Sequence, residues 1–132
     1  MATLGIQGTY KGTFDDAVGA LTKALAAEGF GVLTEVDIAA TFQKKLGVSR
    51  KPYKILGACN PGFANKVLGA NPDVGMFLPC NVAVYEADDG GIAIRAIDPM
   101  QTIAAQAEGP VSEVAREVQA RLTRAVRAVA NA

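Results

Sequence analysis

NVAVYEADDGGIAIRAI, residues 81–97, places two β-forming runs on either side of Asp88-Asp89-Gly90-Gly91. An Asp-Gly pair flanked by alternating apolar residues is the strongest hairpin signal in the chain. The runs Asn81–Ala87 and Ile92–Ile97 read as adjacent strands, and Asp98-Pro99 ends the second one.

The same alternation appears upstream. Leu4, Ile6, Gly8 and Tyr10 alternate with more polar neighbours and predict a first strand. Thr13 offers a hydroxyl cap, and Asp15 and Asp16 favour the first turn of a helix. Phe14, Ala17, Val18, Leu21 and Leu25 share one stripe of that helix, and Gly29 stops it. Val32, Thr34, Val36 and Ile38 predict a second strand. A short amphipathic helix follows over Ile38–Leu46, with Ile38, Phe42 and Leu46 on its stripe. Ser49-Arg50-Lys51-Pro52 is a basic loop, and Tyr53–Ala58 a third strand. Asn60-Pro61 then opens a short helix to about Leu68, closed by Gly69, because Asn is a favoured cap and Pro a favoured first helical residue. Asn71-Pro72-Asp73 reads as a turn.

Downstream, a long helix is expected from Pro110 to the end. Val111, Val114, Ala115, Val118, Leu122, Ala125, Val126 and Val129 form a continuous apolar stripe, read as packing against the sheet. Only the last two strands are joined by a tight turn. One sheet with helices segregated to one face is the economical packing, an α+β fold in a single domain spanning residues 1–132.

Composition narrows the function. Half of the 132 residues are apolar, and thirteen basic side chains balance thirteen acidic ones. That balance gives no field to steer the chain to nucleic acid. No run of about 18 apolar residues exists to cross a membrane, and the first residues lack a basic region followed by an apolar run. A cytoplasmic location is therefore expected, where cysteines stay reduced most of the time. Histidine is absent. That excludes Ser–His and Cys–His nucleophile pairs and every His-containing zinc site. No phosphate-binding glycine loop and no nucleophile elbow occurs.

The two cysteines lie in matching contexts, GACNP at 57–61 and LPCN at 78–81. Cys59 directly precedes the cap residue Asn60, where helix N–H groups and the helix dipole favour a thiolate. Cys80 begins the fourth strand after Pro79. If strands three and four are antiparallel, both thiols fall on the same edge of the sheet, beneath a lid formed by residues 60–79. The pair admits three readings: a reactive dithiol, inert packing of two small hydrophobes, or half of a tetrahedral metal shell that needs further ligands. Glu35 and Asp37 point the same way from strand two, while Arg95 and Asp98 lie in and after strand five. These charges are candidates for acid–base work and otherwise form a solvated sheet face.

Glu35-Val36-Asp37-Ile38, Lys44-Lys45-Leu46-Gly47, Tyr53–Pro61, Leu78–Val82 and Asp98-Pro99 together resemble the bacterial and archaeal family called domain of unknown function 302, over about Tyr10–Ala128. The resemblance implies a TATA-binding-protein-like helix-grip fold, with a curved, mainly antiparallel five-stranded sheet against an N-terminal and a long C-terminal helix. It also implies a homodimer, and no established reaction. Glu35, Asp37, Lys45, Cys59, Asn60, Pro61, Pro79 and Cys80 match the family's characteristic positions.

Three functional expectations follow, the last being a subunit whose role is association through the dimer surface, with cysteines that only pack. The first is a cytosolic thiol site for redox or sulfur chemistry, with Cys59 as the reacting thiol and Cys80 as its partner. Glu35 and Asp37 are then its acid–base groups, and Asn60, Pro61, Lys45, Pro79 and Asn81 its binding residues. The second is a non-catalytic homodimeric module that binds a small apolar or metal-containing ligand, haem among them, in a concavity between sheet and helix. No resident metal or other cofactor is specified, and the expected partners are a second copy and a small-molecule or thiol partner.

Overall fold

A computed structural model describes residues 3–103 and 109–130. The chain runs β1 (Ile6–Tyr10), α1 (Phe14–Ala27), β2 (Gly31–Asp37), α2 (Ile38–Leu46), β3 (Tyr53–Cys59), α3 (Pro61–Ala70), a 3-10 helix (Pro72–Phe77), β4 (Cys80–Glu86), β5 (Ile92–Ala96) and α4 (Pro110–Ala130). The architecture is α+β, as the periodicities require. Residues 131–132, where the last helix was expected to end, lie outside the described residues.

The hairpin forms where the Asp-Gly signal sits. Val82 pairs with Ala96 and Glu86 with Ile92. Gly90 closes the loop at φ 87°, a left-handed value that a Cβ would strain, and the Ala87 N–H donates to the Gly91 carbonyl at 2.8 Å. The five strands form one open antiparallel sheet in the order β1-β5-β4-β3-β2. β3 and β4 are interior strands, so the two cysteines share an end of the sheet rather than an edge.

One face of the sheet carries Leu56, Ala58, Cys80, Val82, Val84, Ile92, Ile94 and Ala96. It packs against α1 through Ala17, Leu21 and Leu25, and against the α4 stripe. All eight stripe residues expected on α4 are buried. Residues three and four apart share a helix face, so the stripe lies on the sheet while Arg116, Arg124 and Arg127 stay exposed. α1 ends in a Schellman motif: the Phe30 N–H reaches the Leu25 carbonyl at 2.9 Å and the Gly29 N–H reaches Ala26 at 3.0 Å. The motif turns Phe30 into the core, 2% exposed.

The opposite face is covered by a ladder of stacked side chains. Tyr53 and Tyr85 lie parallel with centroids 5.1 Å apart. Arg50 stacks on Tyr53 and on Phe42 of α2, and Arg95 on Tyr85.

Three local expectations are corrected. Gly69 does not close α3, which continues to Ala70 and is capped by Asn71. Asn71-Pro72-Asp73 is not an isolated turn but the start of the 3-10 helix, with the Asn71 side chain accepting from the Asp73 N–H. A bulge between Val32 and Thr34 also breaks the alternation of β2, so Val32 and Val36 face opposite sides. Gly31 to Leu46, the whole of β2 and α2, contains no buried residue.

Candidate functional site

The segment GACNP converts a strand into a helix within five residues. Cys59 is the last residue of β3, Asn60 caps α3, and Pro61 is its first residue. The Asn60 side-chain oxygen accepts from the Phe63 N–H at 3.3 Å, and its carbonyl accepts from the Ala64 N–H at 2.9 Å. Gly57 lies between the Thr34 side chain and Pro79, whose Cγ sits 2.8 Å from where a Cβ would stand. Any larger residue would force the Thr34 side chain or Pro79 to shift. The Leu78–Pro79 peptide is cis, and it delivers the chain to Cys80, which stands directly across from Ala58.

These segments close a cavity of about 40 Å³ between the ends of β3 and β4, α3 and the first half of α4. Phe30, Phe63, Val67, Val114 and Val118 supply apolar wall, and the polar residues in the lining are Cys59, Asn60 and Cys80. Both cysteines are free thiols; Cys59 is half-buried, while Cys80 is 7% exposed. Burial pushes the Cys80 thiol up to about 11, and the nearby Cys59 adds to the shift. At neutral pH Cys80 is therefore a neutral S–H group, because a thiolate would be poorly solvated there.

The rim of the site is held by Arg121 of α4. Its guanidinium stacks on Phe63 at 5.0 Å, donates to the Glu28 carbonyl at 3.1 Å and pairs with Glu117 at 3.0 Å. One side chain thus ties α4 to α3 and to the end of α1. Asp98 is held in a similar way: both its oxygens accept from Gln119 at 3.0 Å, and one accepts from the Met100 N–H at 2.8 Å. That fixes the Pro99 turn beside the cavity.

The remaining expected site residues stand elsewhere. Glu35 lies across from Leu56 and Asp37 across from Lys54, about 10 Å and about 17 Å along β3 from Cys59 at the usual strand rise. Glu35 pairs with Lys54 at 2.8 Å, which raises the Lys54 ammonium above its ordinary value. Asp37 caps α2 by accepting from the Ala40 N–H at 2.9 Å. It borders a separate polar depression with Asp15, Arg50 and Lys54. Lys45 is exposed in the last turn of α2. Asn81 is exposed on the sheet face opposite Cys80. Arg95 donates to the Gly8 and Ile94 carbonyls on that same face, away from Asp98. The structure therefore joins Cys59, Asn60, Pro79 and Cys80 around the cavity, with Pro61 beside it. It separates Glu35, Asp37, Lys45 and Asn81 from them.

Sequence reasoning missed Phe30, Phe63 and Arg121. For Phe30 the signal was present, since an apolar residue directly after a helix-ending glycine commonly packs back on the helix. Among the described residues, no cluster of three or more His, Cys, Asp or Glu side chains has the arrangement of a metal site. No helix among the described residues is long and apolar enough to cross a membrane.

No curated protein matches the chain. A crystal structure described as an uncharacterized conserved DUF302 protein from Bacillus stearothermophilus aligns with a TM-score of 0.89 at 29% sequence identity, covering 97% of this chain and 99% of that one. The model of the domain of unknown function DUF302 matches residues 6–129, and the chain belongs to that family.

Proposed function

We propose that Cys59 and Cys80 form a thiol site of a cytoplasmic protein, with Cys59 as the reacting sulfur. The observation that carries this reading is that two free cysteines, one half-buried and one buried, line the same apolar cavity. A thiol at the rim can be reached by a thiol or disulfide partner, while the apolar wall keeps water from the sulfur beyond it. Asn60 holds the α3 terminus in place beside Cys59. Glu35 and Asp37 stand too far along β3 to transfer protons to either sulfur, so the chemistry relies on the thiols themselves.

The test is iodoacetamide labelling of the native, reduced protein across pH, read cysteine by cysteine. Cys59 labels at neutral pH, and Cys80 labels only in strong alkali or after unfolding. Two cysteines that stay unlabelled until the chain unfolds sink the reading and leave both as packing residues.

A second reading, binding of a small apolar ligand without chemistry, draws support from the apolar walls. At about 40 Å³ the cavity excludes haem, and it takes a ring-sized ligand only if α3 and the 3-10 helix swing away. Thermal stabilisation by such a ligand, equal in wild type and in a Cys59→Ser variant, favours this reading over the first.

Homodimerisation is proposed through β2 and α2. No residue from Gly31 to Leu46 is buried, and Leu33 and Leu46 stand 67% and 68% exposed, beside the partly exposed Val36 and Val48. A strand edge with apolar neighbours is a template for a second copy of itself, and an isologous contact satisfies both copies at once.

A further inference from the structure

The size of the cavity selects what the thiol site can hold. One water needs roughly 10–15 Å³ of such space, and benzene occupies a cavity of about 150 Å³. At about 40 Å³, there is room for two or three heavy atoms beside Cys59, and none for an aromatic ring or a peptide. The walls of Phe30, Phe63, Val67, Val114 and Val118 add a second filter. A hydroxyl, sulfinate or carboxylate placed there loses its hydrogen bonds to water and recovers few. A divalent sulfur atom is soft, polarizable and weakly hydrated. It also sits only about 2.05 Å beyond the sulfur that carries it.

Resting on the thiol reading above, we propose that Cys59 carries one sulfane sulfur, as a persulfide, inside this cavity, received from a low-molecular-weight persulfide. The Cys59 thiolate attacks the outer sulfur of the donor R–S–S–H. The new Sγ–S bond forms as the donor's S–S bond breaks, and R–S⁻ leaves and takes a proton from water. The transferred sulfur keeps its hydrogen. One S–S bond replaces another, so no outside oxidant or reductant is needed, and delivery to an acceptor thiolate is the same exchange in reverse.

Cys80 is the unreactive neighbour of this arrangement. A nucleophilic thiolate beside a persulfide attacks its inner sulfur, closes a disulfide and expels sulfide. Buried in the cavity wall, with its thiol pushed up to about 11, Cys80 stays protonated at neutral pH and leaves the persulfide intact.

The experiment incubates the native, reduced protein with glutathione persulfide at neutral pH, removes the excess, caps with iodoacetamide and maps both cysteine peptides by mass. The expected result is a gain of one sulfur on Cys59 and none on Cys80, without released sulfide. Ala115→Leu, which fills the cavity from α4, should lower that gain severalfold while Cys59 still alkylates. If that variant does not fold, the wild-type map alone decides. A Cys59 that alkylates but gains no sulfur, gains a chain of several sulfurs or becomes a glutathione mixed disulfide overturns the persulfide and leaves the thiol reading standing. A Cys59 that does not alkylate in the native protein overturns both.

Discussion

The buried thiol of Cys80 makes stability depend on alkaline pH in a way that can be worked out in advance. Its ordinary ionisation lies at 9.0, and in the fold it is pushed up to about 11, first by burial and then by the nearby Cys59. Below about pH 9 the thiol holds its proton in both the folded and the unfolded chain, so its contribution is complete and flat. Between about 9 and about 11 the unfolded chain releases the proton while the folded one keeps it, and stability falls as pH rises. The slope is about 1.4 kcal/mol per pH unit, so about 3 kcal/mol is lost across the window. Above it both states are ionised and the loss stops growing. Lysines and tyrosines also titrate there, so the measurement is a difference. Urea unfolding of wild type and Cys80→Ala, under reducing conditions, is followed from pH 8 to pH 11. Cys80→Ala should show a constant offset up to about pH 9, after which wild type loses ground to it by about 3 kcal/mol. Repeating the pair in a Cys59→Ser background should keep most of the slope, because burial is the larger cause. A gap that stays constant through the window refutes the assigned environment of Cys80.

Gly57→Ala should lower stability to urea by about 1–3 kcal/mol, because its Cβ lands on Thr34 and Pro79. An unchanged midpoint would mean that the β2–β3–β4 spacing has slack. Asn60→Ala removes the cap of α3 and should cost about 1 kcal/mol in the same assay, while Asn60→Asp should recover most of it. Val36→Asp on β2 should weaken self-association at least tenfold, about 1.4 kcal/mol or more, as read by sedimentation. Far-ultraviolet circular dichroism should stay unchanged, since no core contact is lost; dimers that persist unaltered would place the interface elsewhere.

The long helix was legible because nothing competed with its periodicity: eight residues spaced by threes and fours, with charges opposite, have one way to bury. The β4–β5 hairpin was legible for an equally local reason, since a turn that needs a left-handed residue finds Gly90. β2 was legible as a strand but not in its phase. A bulge is invisible to strict alternation, so Val32 and Val36 looked like one face and are two. The short elements misread at Gly69 and Asn71 share a cause. An exposed helical glycine costs only about 1 kcal/mol, which the caps and contacts of α3 outweigh. The site was half legible. Cys59, Asn60 and Pro61 announce a strand-to-helix junction, and antiparallel pairing of β3 with β4 brings Cys80 to it. The walls come from segments that meet only after folding, so Phe63 and Arg121 had no local signal. Glu35 and Asp37 share a strand face, as read, but the distance along β3 from them to Cys59 depends on pairing register, which spacing within β2 does not encode.

The absence of any buried residue between Gly31 and Leu46 also bears on how the molecule breathes. Lifting that arm gives up only the partly buried Val32 from the arm itself, so in an isolated chain its opening costs less than global unfolding, and its amide hydrogens should exchange with solvent ahead of those of the central strands. β3 would then become the temporary rim of a four-stranded sheet, still sealed by α1 and α4. Whether the arm's amides slow down as protein concentration rises reports directly on what rests against it.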